Sequence, residues 1–394
     1  MKQLIIFDEI TKAGVYGIGT YIREVVESLH DKYKIIIVIY NSKEEEYTVK
    51  EEINHLELRV PSPQDKPEDD KTDERYFINS VYLISDFIKP EEEVIFHFNY
   101  YWHESFVDVL RKRFPSAKMV FTVHYMYWCF LVDGNTEYFK EIIAKPINER
   151  TVFSEREVFG IFQFEKAFLN KMDYVCCLSA FTRALLVNEY QITESKIFLL
   201  NNGLKDDGMI LSDEEKAKEK KSLGLPPDSK IFLFVGRIDK LKGLEYVIRA
   251  FKKLYQQRSD CFLIVVGDGD YDPFLHESEG CRFRIIFTGK IDKEQVYRYY
   301  RIADAGVLLS KHEQCSYVAI EMMMHGLPVI ASNAAGLGEM VADGVNGYKI
   351  QTIRENNTIS FDIDNCCERL AQVINILYQA IRFQKRILQH IRQT

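Results

Sequence analysis

Residues 308–332 read LLSKHEQCSYVAIEMMMHGLPVIAS, and their order decides the fold. Gly306–Leu309 has the character of a buried strand, and Ser316 stands where a helix N-cap would stand. The helix that follows carries Glu321 and is stopped by Gly326 and Pro328 before a second apolar run, Val329–Ala331. Strand, helix and strand at this spacing predict one βαβ unit of a parallel sheet. Glu313 falls in the loop after the first strand, with seven residues between it and Glu321. In an open α/β sheet, ligands bind at the carboxyl edge of the strands. A helix amino terminus there, at Ser316, offers free N–H groups to phosphate. An ionised carboxylate accepts strong hydrogen bonds from neighbouring hydroxyls, so Glu313 suits a sugar. Taken alone, the two glutamates also describe a capping acid and a solvated one.

The same alternation extends in both directions. Leu4–Phe7, Ile35–Ile39, Val94–Phe98, Met119–Val123 and Tyr174–Leu178 form a first series of apolar runs. A second comprises Ile231–Val235, Phe262–Val266, Ile285–Phe287, Gly306–Leu309 and Val329–Ala331, with amphipathic stretches such as Leu244–Gln257 and Lys293–Arg301 between them. Continuous rather than alternating apolar runs are the mark of strands buried on both faces. The expectation is an α/β protein of two doubly wound units: an N-terminal domain over 1–200, a C-terminal domain over 201–375, and a final helix over 376–394. The charged run Ser212–Lys221 and the breaker Gly224-Leu225-Pro226-Pro227 mark the join. Pro61–Asp73 (PSPQDKPEDDKTD) reads as a charged surface excursion.

Composition narrows the class of protein. The chain has 394 residues, 46% of them hydrophobic and 28% charged, which excludes disordered and collagen-like proteins. Its formal net charge of −8 speaks against a nucleic-acid partner. The eight cysteines show neither a C-x-x-C pair nor zinc-finger spacing, which predicts reduced thiols and no metal site. Leu4–Phe7 is too short for a secretory signal, and Val120–Val132 too short to span a bilayer, so the expected location is cytoplasmic. The tail from Gln379 carries Arg382, Lys385, Arg386 and Arg392 with no acid. It reads as a solvated basic helix or, alternatively, one making weak peripheral membrane contact.

Three further stretches carry candidate chemistry. In FVGRIDKLKG (234–243), Arg237 and Lys242 sit in the loop between a strand end and a helix, which suits a diphosphate and the charge that develops as it leaves. For either cation alone, simple solvation is the commoner role. In GVYGIG (14–19), Gly17 and Gly19 precede a helix expected from Thr20 and allow close backbone approach to a ligand. This is not a full G-x-G-x-x-G, and no acid closes the next strand, so a dinucleotide site is disfavoured. His124 ends a strand in TVHYMYW, where it is either structural or functional. Tyr100, Trp102, Tyr125 and Tyr127 crowd two strand ends, either as core or as an acceptor-side surface.

Together these residues resemble the retaining glycosyltransferases of family 4. The resemblance runs in order through Gly17–Gly19, His124, Ser179 and Arg183, Asn202-Gly203, Gly236-Arg237, Lys242-Gly243 and Gly267–Gly269. It continues with Glu313 and Glu321, Gly336 with Glu339, and Asp343-Gly344 with Asn346-Gly347. It implies the GT-B fold, two Rossmann-like domains facing a central cleft, and a nucleotide-diphosphate sugar as donor with no metal or other cofactor. It implies further that Arg237 and Lys242 hold the diphosphate, Glu313 the transferred sugar and Glu321 the ribose. His124 would lie near the sugar and Gly17 near phosphates and acceptor, while Gly236, Gly267, Ser316 and backbone N–H groups at Gly336 and Leu337 complete the donor site. The acceptor would be a glycan, a lipid-linked molecule or a peptide. Asp268-Gly269-Asp270 resembles a metal-binding D-x-D but falls in the family's glycine-rich turn and reads as structural. The sequence departs from the family at Tyr125, where Asp is usual, and at Glu313-Gln314-Cys315-Ser316, where E-G-F-G is usual. The blocks YGIGTY (16–21) and HEQCSY (312–317) resemble a branch found beside peptide-maturation systems of Bacteroidales-type bacteria. A nucleotide-sugar epimerase of the same fold and an inactive GT-B-like binding partner are the rival readings.

Overall fold

A computed structural model describes residues 2–10, 17–63 and 70–377. Residues 14–16 of the glycine turn, residues 64–69 of the Pro61–Asp73 excursion and the basic tail from 378 lie outside the described residues.

The first sheet has eight strands: β1 (Lys2–Glu9), β2 (Tyr33–Ser42), β3 (Thr48–Glu51), β4 (Leu56–Pro61), β5 (Val94–Phe98), β6 (Lys118–Val123), β7 (Tyr174–Cys177) and β8 (Ile197–Leu199). Their order is β3-β4-β2-β1-β5-β6-β7-β8. All neighbours are parallel except β3, which runs antiparallel to β4. The second sheet comprises β9 (Lys230–Val235), β10 (Cys261–Val266), β11 (Ile285–Gly289), β12 (Ala305–Leu308), β13 (Val329–Ser332) and β14 (Gly347–Ile350). It is wholly parallel, in the order β11-β10-β9-β12-β13-β14. A hairpin, β15 (Thr352–Glu355) and β16 (Thr358–Phe361), stands apart from it.

Each sheet reverses its winding once. In the first, the chain turns one way from β1 to β2 and the other way to β5; in the second, β9 is flanked by β10 and β12. A crevice opens at the carboxyl ends of such a strand pair, because the connections on its two sides leave in opposite directions. This places the residues following β1, β5, β9 and β12 at the two ligand-binding positions of the fold.

The second sheet shows why its strands read as unbroken apolar runs. Phe232, Phe234, Leu263 and Val265 face one core with Leu244, Val247 and Phe251 of the helix Leu244–Gln257. The intervening Ile231, Leu233, Ile264 and Val266 face another core with Tyr297, Tyr300, Met322 and Met323. Side chains alternate faces along a strand, so burial on both sides requires an apolar residue at every position.

The residues divide into two compact units, Met1–Trp128 with Lys140–Gly203, and Cys129–Phe139 with Leu204–Thr394. A single cut at residue 200 therefore misses one excursion: Cys129–Phe139 groups with the second unit, held by contacts described below. Three further differences from expectation have local causes. The helix expected from Thr20 begins at Gly17, so Gly17 and Gly19 lie in its first turn rather than in a loop before it. A helix, Asp70–Ser85, takes up the end of the charged excursion. Tyr100 and Trp102 are core residues: Trp102 packs edge-on against Phe7, Tyr40 and Phe106, with Phe77 tilted alongside. Burial leaves neither ring a face for an acceptor.

Candidate functional site

The second unit's crevice is built from two short turns. After β9, Asp239 caps the turn Lys240–Lys242 by accepting N–H bonds from Leu241 (3.0 Å) and Lys242 (3.1 Å). Its other carboxylate oxygen meets Arg237 Nη2 at 3.2 Å. Gly243 then takes a left-handed φ of 65°, and a Cβ placed there would lie 2.0 Å from the carbonyl oxygen of Leu309. Only glycine lets the two turns approach this closely.

The turn after β12 is fixed along its length. Ser332 Oγ donates to the Ser310 carbonyl (2.5 Å), Lys311 N–H to that of Leu241 (2.7 Å), and Gly336 N–H to that of Glu313 (2.8 Å). Lys242 Nζ and Glu313 Oε2 are thereby brought to 2.5 Å, each side chain about one-fifth exposed (22% and 21%). Two residues 71 apart in sequence become one ion pair at the winding reversal. Each expected cation thus has a carboxylate partner, Arg237 with Asp239 and Lys242 with Glu313. The crevice is balanced rather than simply positive, and an entering anion must take Lys242 from Glu313.

The other expected donor residues carry structural duties of their own. Ser316 caps the helix Tyr317–Met324, its hydroxyl accepting from Ala319 N–H at 3.3 Å. Glu321 sits midway along that helix and accepts a hydrogen bond from the buried hydroxyl of Tyr300 at 2.9 Å. Gly236 and Gly267 let two strand exits touch: a Cβ on Gly267 would lie 1.8 Å from the Gly236 carbonyl oxygen. The Gly336 N–H is already committed to Glu313, and the Leu337 side chain is wholly buried. His312 is held neutral, burial pushing it down to about 4, with Gln314 Nε2 donating to its Nε2 at 3.2 Å.

The first unit's crevice is acidic and neutral-imidazole in character. Asn99 Nδ2 donates to the Phe7 carbonyl (3.2 Å), which turns its oxygen toward His124 Nε2 at 2.9 Å. The proton therefore sits on Nε2, and Nδ1 is left as an acceptor. Burial pushes His124 down to about 3 and His97 to about 4, so neither is a cation near neutrality. Tyr21, on the helix Gly17–Leu29, lies edge-on to both rings, and its hydroxyl is 3.0 Å from Thr122 Oγ1. Asp8, at the end of β1, is pushed up to about 6 by burial while accepting from Tyr100 (3.1 Å) and the Glu9 N–H (2.8 Å). Tyr125 and Tyr127 are half-buried with hydroxyls 3.2 Å apart, and are the two of the four expected aromatics that retain exposed surface. Apart from its own chain neighbours and helix backbone, no described atom lies within 4 Å of where a Cβ on Gly17 would sit.

Sequence reading passed over Asp239, Asn99, Asp8 and Tyr300. Asp239 had a signal, an Asp directly before a basic turn that it could cap. The other three act through partners 21 to 92 residues away. No pattern local to them carries that information.

These two crevices, on two parallel doubly wound sheets, define a GT-B architecture. Sucrose-phosphate synthase from Thermosynechococcus elongatus superposes with a TM-score of 0.72 at 21% identity, covering 98% of this chain and 92% of that one. Anabaena HepE in complex with UDP-glucose gives 0.68 at 16%, covering 100% and 95%. Residues 15–207 match the family model described as Glycosyltransferase Family 4, and residues 215–359 match Glycosyl transferases group 1. Between them the two models cover most of the chain, which is thereby similar to glycosyltransferases of the family 4 type. Among curated proteins, a glycosyltransferase of Methanocaldococcus jannaschii is 29% identical over 218 residues, which is 52% of this chain and 55% of the relative. D-inositol 3-phosphate glycosyltransferase 2 of Catenulispora acidiphila is 34% identical over 174 residues, 41% and 40% respectively. The chain spans about half the length of the curated relatives it matches. Among the described residues, no helix is long and apolar enough to cross a membrane.

Proposed function

We propose that this chain transfers a hexosyl group from a nucleoside-diphosphate sugar to an acceptor hydroxyl, retaining the anomeric configuration and using no metal. The observation that carries this reading is the Lys242–Glu313 pair at the second sheet's winding reversal. A diphosphate entering there takes Lys242 and Arg237 as its counter-charges. That releases the Glu313 carboxylate to accept from sugar hydroxyls, so one exchange prepares both halves of the donor site. Glu321, oriented by Tyr300, is assigned to the ribose, and the N–H groups at the start of its helix, capped by Ser316, to phosphate.

In the reaction, the bond from the anomeric carbon to the diphosphate breaks and the leaving group departs with the electron pair. The charge it gains is stabilised by Arg237 and Lys242. The acceptor oxygen bonds to the same face of the oxocarbenium-like carbon, and its proton passes to a departing phosphate oxygen. The first unit's crevice is assigned to the acceptor, a glycan, lipid-linked molecule or peptide, with Tyr125 and Tyr127 as its aromatic surface. His124, neutral with its Nε2–H donated to Asn99 and Nδ1 as an acceptor, contributes a hydrogen bond rather than a charge. Membership of the branch found beside Bacteroidales peptide-maturation systems, which would favour a peptide acceptor, rests on YGIGTY and HEQCSY.

The full chain, incubated with a panel of nucleoside-diphosphate hexoses with and without a pool of glycan, lipid and peptide acceptors, tests this. Acceptor-dependent release of nucleoside diphosphate supports the proposal. Conversion of the sugar without acceptor or release would make the chain an epimerase, and failure to consume any donor would make it a binding partner.

A further inference from the structure

We propose that the Asp133–Lys311 ion pair is a positioning device for the donor site, setting the turn that carries Glu313 against the turn that carries Lys242. This rests on the donor-site reading above and adds two positioning residues to it. Lys311 lies two residues before Glu313, and its side chain is only 6% exposed. Its ammonium is paired with the Asp133 carboxylate and lies 5.8 Å from the centre of the Tyr246 ring. Asp133 belongs to the excursion Cys129–Phe139, which groups with the second unit although its sequence neighbours on both sides group with the first.

The excursion is shaped for this contact. Asp133 and Gly134 adopt successive left-handed conformations, φ 52° and 74°. The turn is closed by Gly134 N–H to the Cys129 carbonyl (2.8 Å) and Asn135 N–H to that of Val132 (2.9 Å). A Cβ on Gly134 would lie 2.9 Å from the Lys311 carbonyl oxygen and 3.0 Å from His312 Cβ. Glycine therefore lets this backbone rest directly on that of Lys311–His312, while the neighbouring aspartate reaches the Lys311 ammonium. On its opposite edge, Lys311 N–H holds the Leu241 carbonyl, one residue before Lys242.

Stability alone does not account for the arrangement. A buried ion pair is often matched or bettered by apolar residues of the same volume. What a charge pair supplies, and an apolar contact does not, is direction. Lys311 is gripped by its ammonium on one side and its amide on the other, and the Glu313 carboxylate two residues on meets Lys242 from the position this sets.

The test uses three full-length variants: Lys311→Met, Asp133→Asn and Gly134→Ala. Binding of UDP, GDP and ADP, and of their glucose conjugates, is measured by calorimetry beside a thermal melt. Lys311→Met removes the buried charge and keeps the packing; Gly134→Ala keeps both charges and parts the two backbones. For the preferred base, all three variants are expected to bind the nucleoside diphosphate within about threefold of wild type and the nucleotide sugar about tenfold more weakly. A sugar-specific loss follows from displacing Glu313, whereas a merely structural role would weaken both ligands alike or neither. Equal loss, or no loss, in variants that melt as folded proteins overturns the inference. If one variant fails to fold, the other two decide. If the wild type binds none of the six ligands, the donor-site reading itself falls and takes this inference with it. Wild-type binding with wild-type-like variants removes only the inference.

Discussion

Replacing Glu313 by Gln separates the two halves of the proposed donor site in one substitution. The amide keeps the shape of the side chain and removes its charge, so the turn after β12 keeps its backbone anchors at Ser310, Lys311 and Glu313. Lys242 and Glu313 are 2.5 Å apart and about one-fifth exposed, between a surface pair and a buried one. A pair so placed contributes about 1 kcal/mol. A bare diphosphate must spend that interaction to reach Lys242, and in Glu313→Gln it need not, so nucleoside diphosphate should bind up to about fivefold more tightly. The sugar moves the other way. A hydroxyl bonded to a carboxylate contributes about 1.5–3 kcal/mol and one bonded to a neutral group about 1, so the affinity of the nucleotide sugar relative to the bare diphosphate should fall roughly threefold to thirtyfold. Isothermal titration of variant and wild type with the nucleoside diphosphate and its hexose conjugate reads both signs. Equal weakening of the two ligands would refute the exchange of Lys242 from carboxylate to diphosphate.

Other consequences follow from individual residues. Arg237→Ala leaves Asp239 its two backbone N–H partners, so the variant should melt within a few degrees of wild type. Its turnover should fall by about 10²–10³, as for removal of one transition-state charge partner; near-normal turnover would exclude Arg237 from the diphosphate. Gly243→Ala forces a left-handed alanine, at about 1–2 kcal/mol, against the Leu309 carbonyl. It should lower the melting temperature by at least about 2–4 °C, and an unchanged melt would contradict the approach of the two turns. Glu165 is buried, accepts from Tyr190 Oη and Tyr127 N–H at 2.5 Å each, and is pushed up from 4.5 to about 8 by burial. Between those values the folded chain holds a proton the unfolded chain has lost, so stability falls as pH rises from about 4.5 to about 8. Glu165→Gln should flatten that slope in denaturant titrations at pH 5 and pH 8, and a wild-type slope in the variant would reassign it.

The sequence exposed what is written locally. Continuous apolar runs marked ten strands, and Leu244–Gln257 has the bounds expected of it. Strands β3, β4, β8 and β14 escaped notice because they are short or lie toward the sheet margins, where partial exposure breaks up the apolar run. The hairpin β15–β16 carried a signal in the Asn356-Asn357 turn, which allows the positive φ found at Asn356. At the site, residue types were legible and pairings were not. Arg237, Lys242 and Glu313 stood out, but the salt bridge that neutralises Lys242 joins turns 71 residues apart. The aromatic cluster shows the limit most clearly. Tyr100 and Trp102 read like Tyr125 and Tyr127, and only three-dimensional packing makes the first two core and leaves the second two partly exposed.

The central claim is that Arg237, Lys242 and Glu313, at the winding reversal of the second sheet, hold a nucleoside-diphosphate sugar without a metal. Isothermal titration of the full chain with nucleoside-diphosphate hexoses in excess chelator, wild type beside Arg237→Ala, tests it most directly. Saturable one-site binding by wild type in chelator, weakened at least tenfold in Arg237→Ala, is the predicted result. Binding that vanishes with chelator, or is indifferent to Arg237, would contradict it.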